Sequence, residues 1–89
     1  MGDEPGISPG QWITVGKGRN VDAVVCRIYE DTGNCEIVYL DERDRAINED
    51  AKWTGTHWEF ASQEPTGGYA DNYGRLQSFV SILRSGRRP

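Results

Sequence analysis

Between Val21 and Leu40 the chain holds two apolar runs, VDAVVCRIY and CEIVYL, joined by Glu30-Asp31-Thr32-Gly33-Asn34. β-Branched and aromatic residues dominate both runs, so each reads as a strand, and Gly33 supplies a left-handed position for a bulged turn. Alternate residues of a strand point to opposite faces. With Gly33 closing a three-residue loop, Tyr29 faces Cys35 and Cys26 faces Val38. One face then carries Val24, Cys26, Ile28, Val38 and Leu40, and the other Ala23, Val25, Tyr29, Ile37 and Tyr39, interrupted by Arg27. A hairpin that is apolar on both faces needs cover on both, and that requirement constrains the fold more than any other feature.

The rest of the chain supplies two kinds of cover. Gln11 to Val15 alternates as a short strand, with Ile13 and Val15 on one face and Trp12 and Thr14 on the other. Ile47, Glu49, Ala51 and Trp53 alternate with polar residues, and Thr54-Gly55 reads as a two-residue turn into Thr56 to Phe60. That register pairs Trp53 with Thr56, Ala51 with Trp58 and Glu49 with Phe60 on a mostly apolar face, and Lys52 with His57 on a polar one. Further on, Leu76, Phe79, Val80 and Leu83 fall at i, i+3, i+4, i+7, the stripe of an amphipathic helix. Asp71 or Asn72 is placed to cap its start and Gly86 to end it, which predicts a helix over about 72–85. The expected fold is mainly β (α+β): a curled five-stranded antiparallel sheet or small barrel, with one C-terminal helix packed on it. The domain spans 11–86, after a Gly- and Pro-rich lead-in over 1–10 read as flexible and before a tail over 87–89.

Leu, Ile, Val and Phe make up only 17 of the 89 residues, so the three Trp and four Tyr must fill much of the core. No apolar run reaches the ~20 residues that a membrane-spanning helix needs. MGDEPGISPG lacks the basic and apolar regions of a secretory signal, so none is expected. The two cysteines, Cys26 and Cys35, fall on opposite faces of the central hairpin, too far apart for a disulfide, and are expected as thiols, consistent with a cytoplasmic protein.

The chemistry-bearing residues are sparse. The net charge of −4 argues against non-specific nucleic-acid binding, although Lys17, Arg19 and the terminal Arg84, Arg87 and Arg88 keep it as a third reading. Val15-Gly16-Lys17-Gly18-Arg19 lacks the spacing of a nucleotide-binding loop and leads into a strand, so it reads as a turn. His57 is the single histidine and falls on the outward face, and no nucleophile motif accompanies it. Asp41, Glu42, Asp44, Glu49 and Asp50 form an acidic cluster, but Arg43 and Arg45 break the ligand spacing of a calcium loop. Neither a metal nor a cofactor is expected, and no catalytic residue stands out.

What remains is the aromatic surplus beside acidic groups. Trp12, Tyr29, Tyr39, Tyr69 and Tyr73, with Asp41 and Glu42, are the candidate ligand-binding residues, because a rim of aromatics and carboxylates suits a cation. Five short strands with tight turns over Gln11 to Ala61 resemble SH3-like small barrels, the Tudor and KOW types among them, here with an added helix. The segment Gly68-Tyr69-Ala70-Asp71-Asn72-Tyr73 resembles short stand-alone bacterial proteins of the kind found in mobile gene cassettes. Neither resemblance brings functional residues with it. The leading expectation is a small binding module for a peptide, a protein or a cationic small molecule. The alternative is an oligomeric enzyme, a homodimer for instance, whose site forms at the symmetry axis.

Overall fold

The computed structural model describes residues 6–17, 19–61 and 68–86. Five strands follow one another round a closed barrel: β1 (Trp12–Lys17), β2 (Arg19–Ile28), β3 (Cys35–Leu40), β4 (Ala46–Trp53) and β5 (Trp58–Phe60). Sequential neighbours pair antiparallel, and a parallel pairing of Val15 with Trp58 closes β5 onto β1. A C-terminal helix, α1 (Gln77–Ser85), lies on the outside. The mainly-β class with one packed helix is therefore present in its barrel form, consistent with the SH3-like pattern.

Closure solves the problem of the two-faced hairpin. Ala23, Val25, Cys35 and Ile37 point into the barrel with Val15, Ala51 and Trp58, and Ile7, Ile13, Tyr39, Trp53 and Phe60 pack around them. Aromatic side chains provide much of this filling: Trp53 and Trp58 are tilted at 5.4 Å between ring centres, and Tyr39 and Phe60 at 5.3 Å. On the outer face, Val24, Cys26, Val38 and Ala46 are buried beneath Ala70, Leu76, Val80 and Leu83. Cys26 and Cys35 thus sit in different clusters, both as buried free thiols. Burial, helped by the nearby Glu36 carboxylate, pushes the Cys26 thiol up to about 12, so it stays protonated.

Two registers differ from those read in the sequence. In the central hairpin, pairing slips between Val25 and Arg27, and the bulge at Cys26 sets Arg27 opposite Glu36 and Ile28 opposite Cys35. A bulge exchanges the faces of every residue beyond it. Ile28 therefore joins the barrel interior, while the Tyr29 hydroxyl donates to Asp50 at 3.2 Å. In the second hairpin, Trp53 pairs with Trp58, Lys52 with Glu59 and Ala51 with Phe60. The turn spans Thr54 to His57, with Thr54 N–H donating to the His57 carbonyl at 2.9 Å. The shift is two residues, so inward and outward faces survive it, but His57 moves from the strand to the turn.

The helix begins later than its periodicity implies. Two 3-10 turns, Ala70–Asn72 and Gly74–Leu76, precede it, separated by Tyr73 in an extended conformation. Neither Asp71 nor Asn72 caps α1, which starts after Leu76 without a side-chain cap, while the Gln77 side-chain amide ties back to the 3-10 turns by donating to the carbonyls of Ala70, Asp71 and Tyr73. The stripe keeps its role, because Leu76 is buried from the last 3-10 turn alongside Val80 and Leu83. Gly86 ends the helix at φ 68°, a left-handed position where glycine avoids the Cβ clash.

One ion pair fastens this lid to the barrel. The Arg75 guanidinium donates twice to the Glu36 carboxylate, at 2.7 and 2.8 Å, and Glu36 is only 3% exposed. Those bonds hold the Glu36 carboxyl below its ordinary value of 4.5. A depressed folded-state pKa gives stability that is complete above the unfolded value and is lost as pH falls through the folded one. Unfolding midpoints in urea should therefore fall as pH drops below about 4.5. Arg75→Met should lower the midpoint at neutral pH and flatten that decline, because Glu36 then has its burial without its partner. An unchanged pH profile in R75M would count against the clamp.

Candidate functional site

The turn between β3 and β4 carries Asp41, Glu42 and Asp44 of the acidic cluster, with Glu49 and Asp50 in β4, and its geometry follows from Asp41. One carboxylate oxygen of Asp41 accepts the backbone N–H groups of Arg43 and Arg45, each at 2.9 Å, and the other accepts the Arg45 Nε at 3.0 Å. Asp44 turns the chain at φ 60°, a conformation short polar residues tolerate. The backbone N–H of Arg45, more than any other contact, holds the Asp41 carboxyl below the usual carboxylate range. Asp41 is thus a fixed anion on the rim of the barrel.

Beside it, Tyr39 and Ile47 are cross-strand neighbours at the ends of β3 and β4 that meet at this turn. The second wall comes from the segment returning toward the helix. Asn48 N–H donates to the Gly68 carbonyl at 2.9 Å, and Tyr69 bridges to Ile47 in antiparallel fashion. Together Tyr39, Asp41, Arg45, Ile47, Gly68 and Tyr69 line an open depression of about 380 Å³. Tyr69 is, with Tyr73, one of the exposed large hydrophobic residues among those described, at 44%. The Tyr39 phenol is held protonated by burial and by the nearby Glu49 and Asp41 carboxylates, which raise it above its ordinary value.

Of the seven residues singled out in the sequence, the fold gathers Tyr39, Asp41 and Tyr69 here. Glu42 is exposed on the same turn but does not line the depression. Trp12 packs against the cluster beneath α1. Tyr29 and Tyr73 belong to a separate ionic surface, where Arg27 lies 5.0 Å from the Tyr29 ring centre and Arg75 lies 5.8 Å from that of Tyr73. Sequence reasoning missed Arg45, Ile47 and Gly68. Arg45 follows Asp41 by four residues in a turn, which signals pairing, but nothing local links either residue to Tyr69.

Arg45 has the most informative position. Its guanidinium lies 5.1 Å from the Tyr69 ring centre, donates to the Tyr69 hydroxyl at 2.8 Å and pairs with Asp41. A cation thus already occupies the aromatic and acidic cradle, supplied by the chain itself.

Other reactive groups are placed less suggestively. The His57 ring contacts the Thr54 and Thr56 hydroxyls and lies 3.6 Å from Glu59, all at the hairpin turn. Among the described residues, no group of three His, Cys, Asp or Glu side chains is arranged to hold a metal ion. No helix among them is long and apolar enough to cross a membrane. Arg84 is engaged with the Asp44 carbonyl and Asp71. The Lys17 and Arg19 side chains and the terminal Arg87 and Arg88, which carry the nucleic-acid reading, lie outside the described residues. No protein-family model matches the chain, and no match is found among curated proteins or solved structures, so the site stands on its own chemistry.

Proposed function

We propose that this chain is a small binding module, acting in the cytoplasm and akin to short stand-alone bacterial proteins, that takes a positively charged group at the mouth of its barrel. The group belongs to a peptide, a protein or a cationic small molecule. The observation that carries this reading is the cradle of Asp41 and Tyr69 beside Tyr39. A carboxylate fixed by backbone N–H groups and an aromatic face held by a strand-like bridge both attract a cation, and neither has to reorganise on binding. The acidic net charge favours approach of a basic partner over a nucleic acid.

Titration with a library of short basic peptides, followed by intrinsic fluorescence, tests the reading. Asp41→Asn keeps the side-chain shape and one acceptor oxygen but removes the charge, and it should weaken binding by about tenfold or more. Binding should also weaken as salt rises. Equal affinity in wild type and D41N, or no response to any peptide by a folded protein, would overturn it.

A further inference from the structure

We propose that Arg45 is a built-in competitor: its side chain occupies the seat meant for the ligand, and the ligand enters by displacing it with a guanidinium group of its own. This rests on the binding reading above and adds both the class of the recognised group and a means of control.

The seat is assembled without the Arg45 side chain. Asp41 is oriented by two backbone N–H groups, one of them Arg45's own, which any side chain at that position would retain. Tyr69 is held by its backbone bridge to Ile47, and the preceding Gly68 carbonyl by Asn48 N–H. Removing the guanidinium therefore leaves the Asp41 carboxylate and the Tyr69 backbone in place. The Arg45 side chain, for its part, is 45% exposed and makes its ion pair with Asp41 at the surface, within reach of a competitor. Such pairs contribute little net stability, so they yield readily to a competitor making the same contacts.

The contacts Arg45 makes also define what can replace it. Two N–H groups of one planar cation reach acceptors on separate segments, Asp41 on the turn and Tyr69 on the returning segment, while the cation lies against the Tyr69 ring. A guanidinium offers donors in a fixed fork and a flat face for stacking; an ammonium is a point charge with neither. Ile47 and Tyr39 in the lining provide apolar surface for the methylene stem of an arginine. A ligand can bind only in the fraction of molecules whose seat is vacant, so Arg45 lowers apparent affinity by that fraction.

The test compares capped Gly-Arg-Gly and Gly-Lys-Gly peptides binding to wild type, Arg45→Ala and Arg45→Ala/Asp41→Asn, by NMR titration. R45A should bind the arginine peptide about three- to tenfold more tightly than wild type, as removal of an occupant of a mostly filled seat requires. The arginine peptide should bind better than the lysine peptide, and adding D41N should abolish the gain. In wild type, the Arg45 Nε–H signal should move toward the position of a free arginine as the peptide saturates, a readout independent of any variant. If wild type binds but R45A binds equally or more weakly, or if the Nε–H signal stays fixed at saturation, the competitor role is overturned while the binding reading stands. If neither protein binds either peptide, both fall.

Discussion

Replacing Trp58 with alanine should destabilise the barrel by about 3–5 kcal/mol, the usual cost of truncating a buried Trp. Trp58 is 4% exposed, sits in a strand of three residues, and pairs with Val15 to close the barrel. Its ring also packs tilted against Trp53, so its loss removes both a core volume and an aromatic contact. Native proteins have roughly 5–15 kcal/mol of total stability, so the variant should lose a large share of it. Equilibrium urea unfolding checks this at 25 °C. Trp53→Ala, at a position only half-buried, should cost less. A W58A protein with an unshifted midpoint would mean that the β1–β5 closure is not where the core is held.

Leu76→Ala should cost about 2–5 kcal/mol, with the exact loss set by how far the cavity collapses. Leu76 has no exposed surface and shares a buried cluster with Val24, Val38 and Val80 where the helix segment covers the outer face of the sheet. The two cysteines give this prediction a local readout. Cys26 lies in the cluster under the helix and Cys35 in the barrel interior. In native wild type both thiols should resist alkylation, Cys26 because burial keeps it protonated and covered. In L76A, loosening of the lid should expose Cys26 first, with Cys35 protected until the barrel opens. Peptide mapping after a timed iodoacetamide pulse separates them. Simultaneous labelling of both cysteines would show that lid and barrel unfold as one unit.

The features legible in the sequence are those that depend on parity and period. The apolar stripe from Leu76 to Leu83 and the terminating Gly86 can be read directly, because helix period and left-handed glycine are local properties. The inward set of the second hairpin, Ala51, Trp53, Trp58 and Phe60, also reads correctly, since the two-residue shift in its register keeps every face. The bulge at Cys26 is not legible. Arg27 interrupts an otherwise apolar face there, but one polar residue in a strand does not announce a bulge, and only pairing with Glu36 and Cys35 shows that one residue is extra. The late start of the helix is hidden for a similar reason: Leu76 occupies the right stripe position whether its turn is α or 3-10.

The site divides in the same way. Tyr39, Asp41 and Tyr69 are recognisable as residue types, but their meeting depends on Gly68-Tyr69 returning to β4, a long-range pairing with no local signature. Arg45 reads as part of a solvated Asp–Arg corner until Tyr69 is brought over it. Trp12, Tyr29 and Tyr73, equally plausible by composition, are directed to other surfaces by the strand faces and by the extended Tyr73.

The central claim is that the barrel mouth at Tyr39, Asp41 and Tyr69 receives a cation. Amide chemical-shift mapping with capped Gly-Arg-Gly tests it most directly, because it reports position as well as binding. Shifts that saturate and concentrate on residues 39–47 and 68–69 are the expected result. Shifts centred on Tyr29 and Tyr73 instead, or none at millimolar peptide in a folded protein, would contradict it.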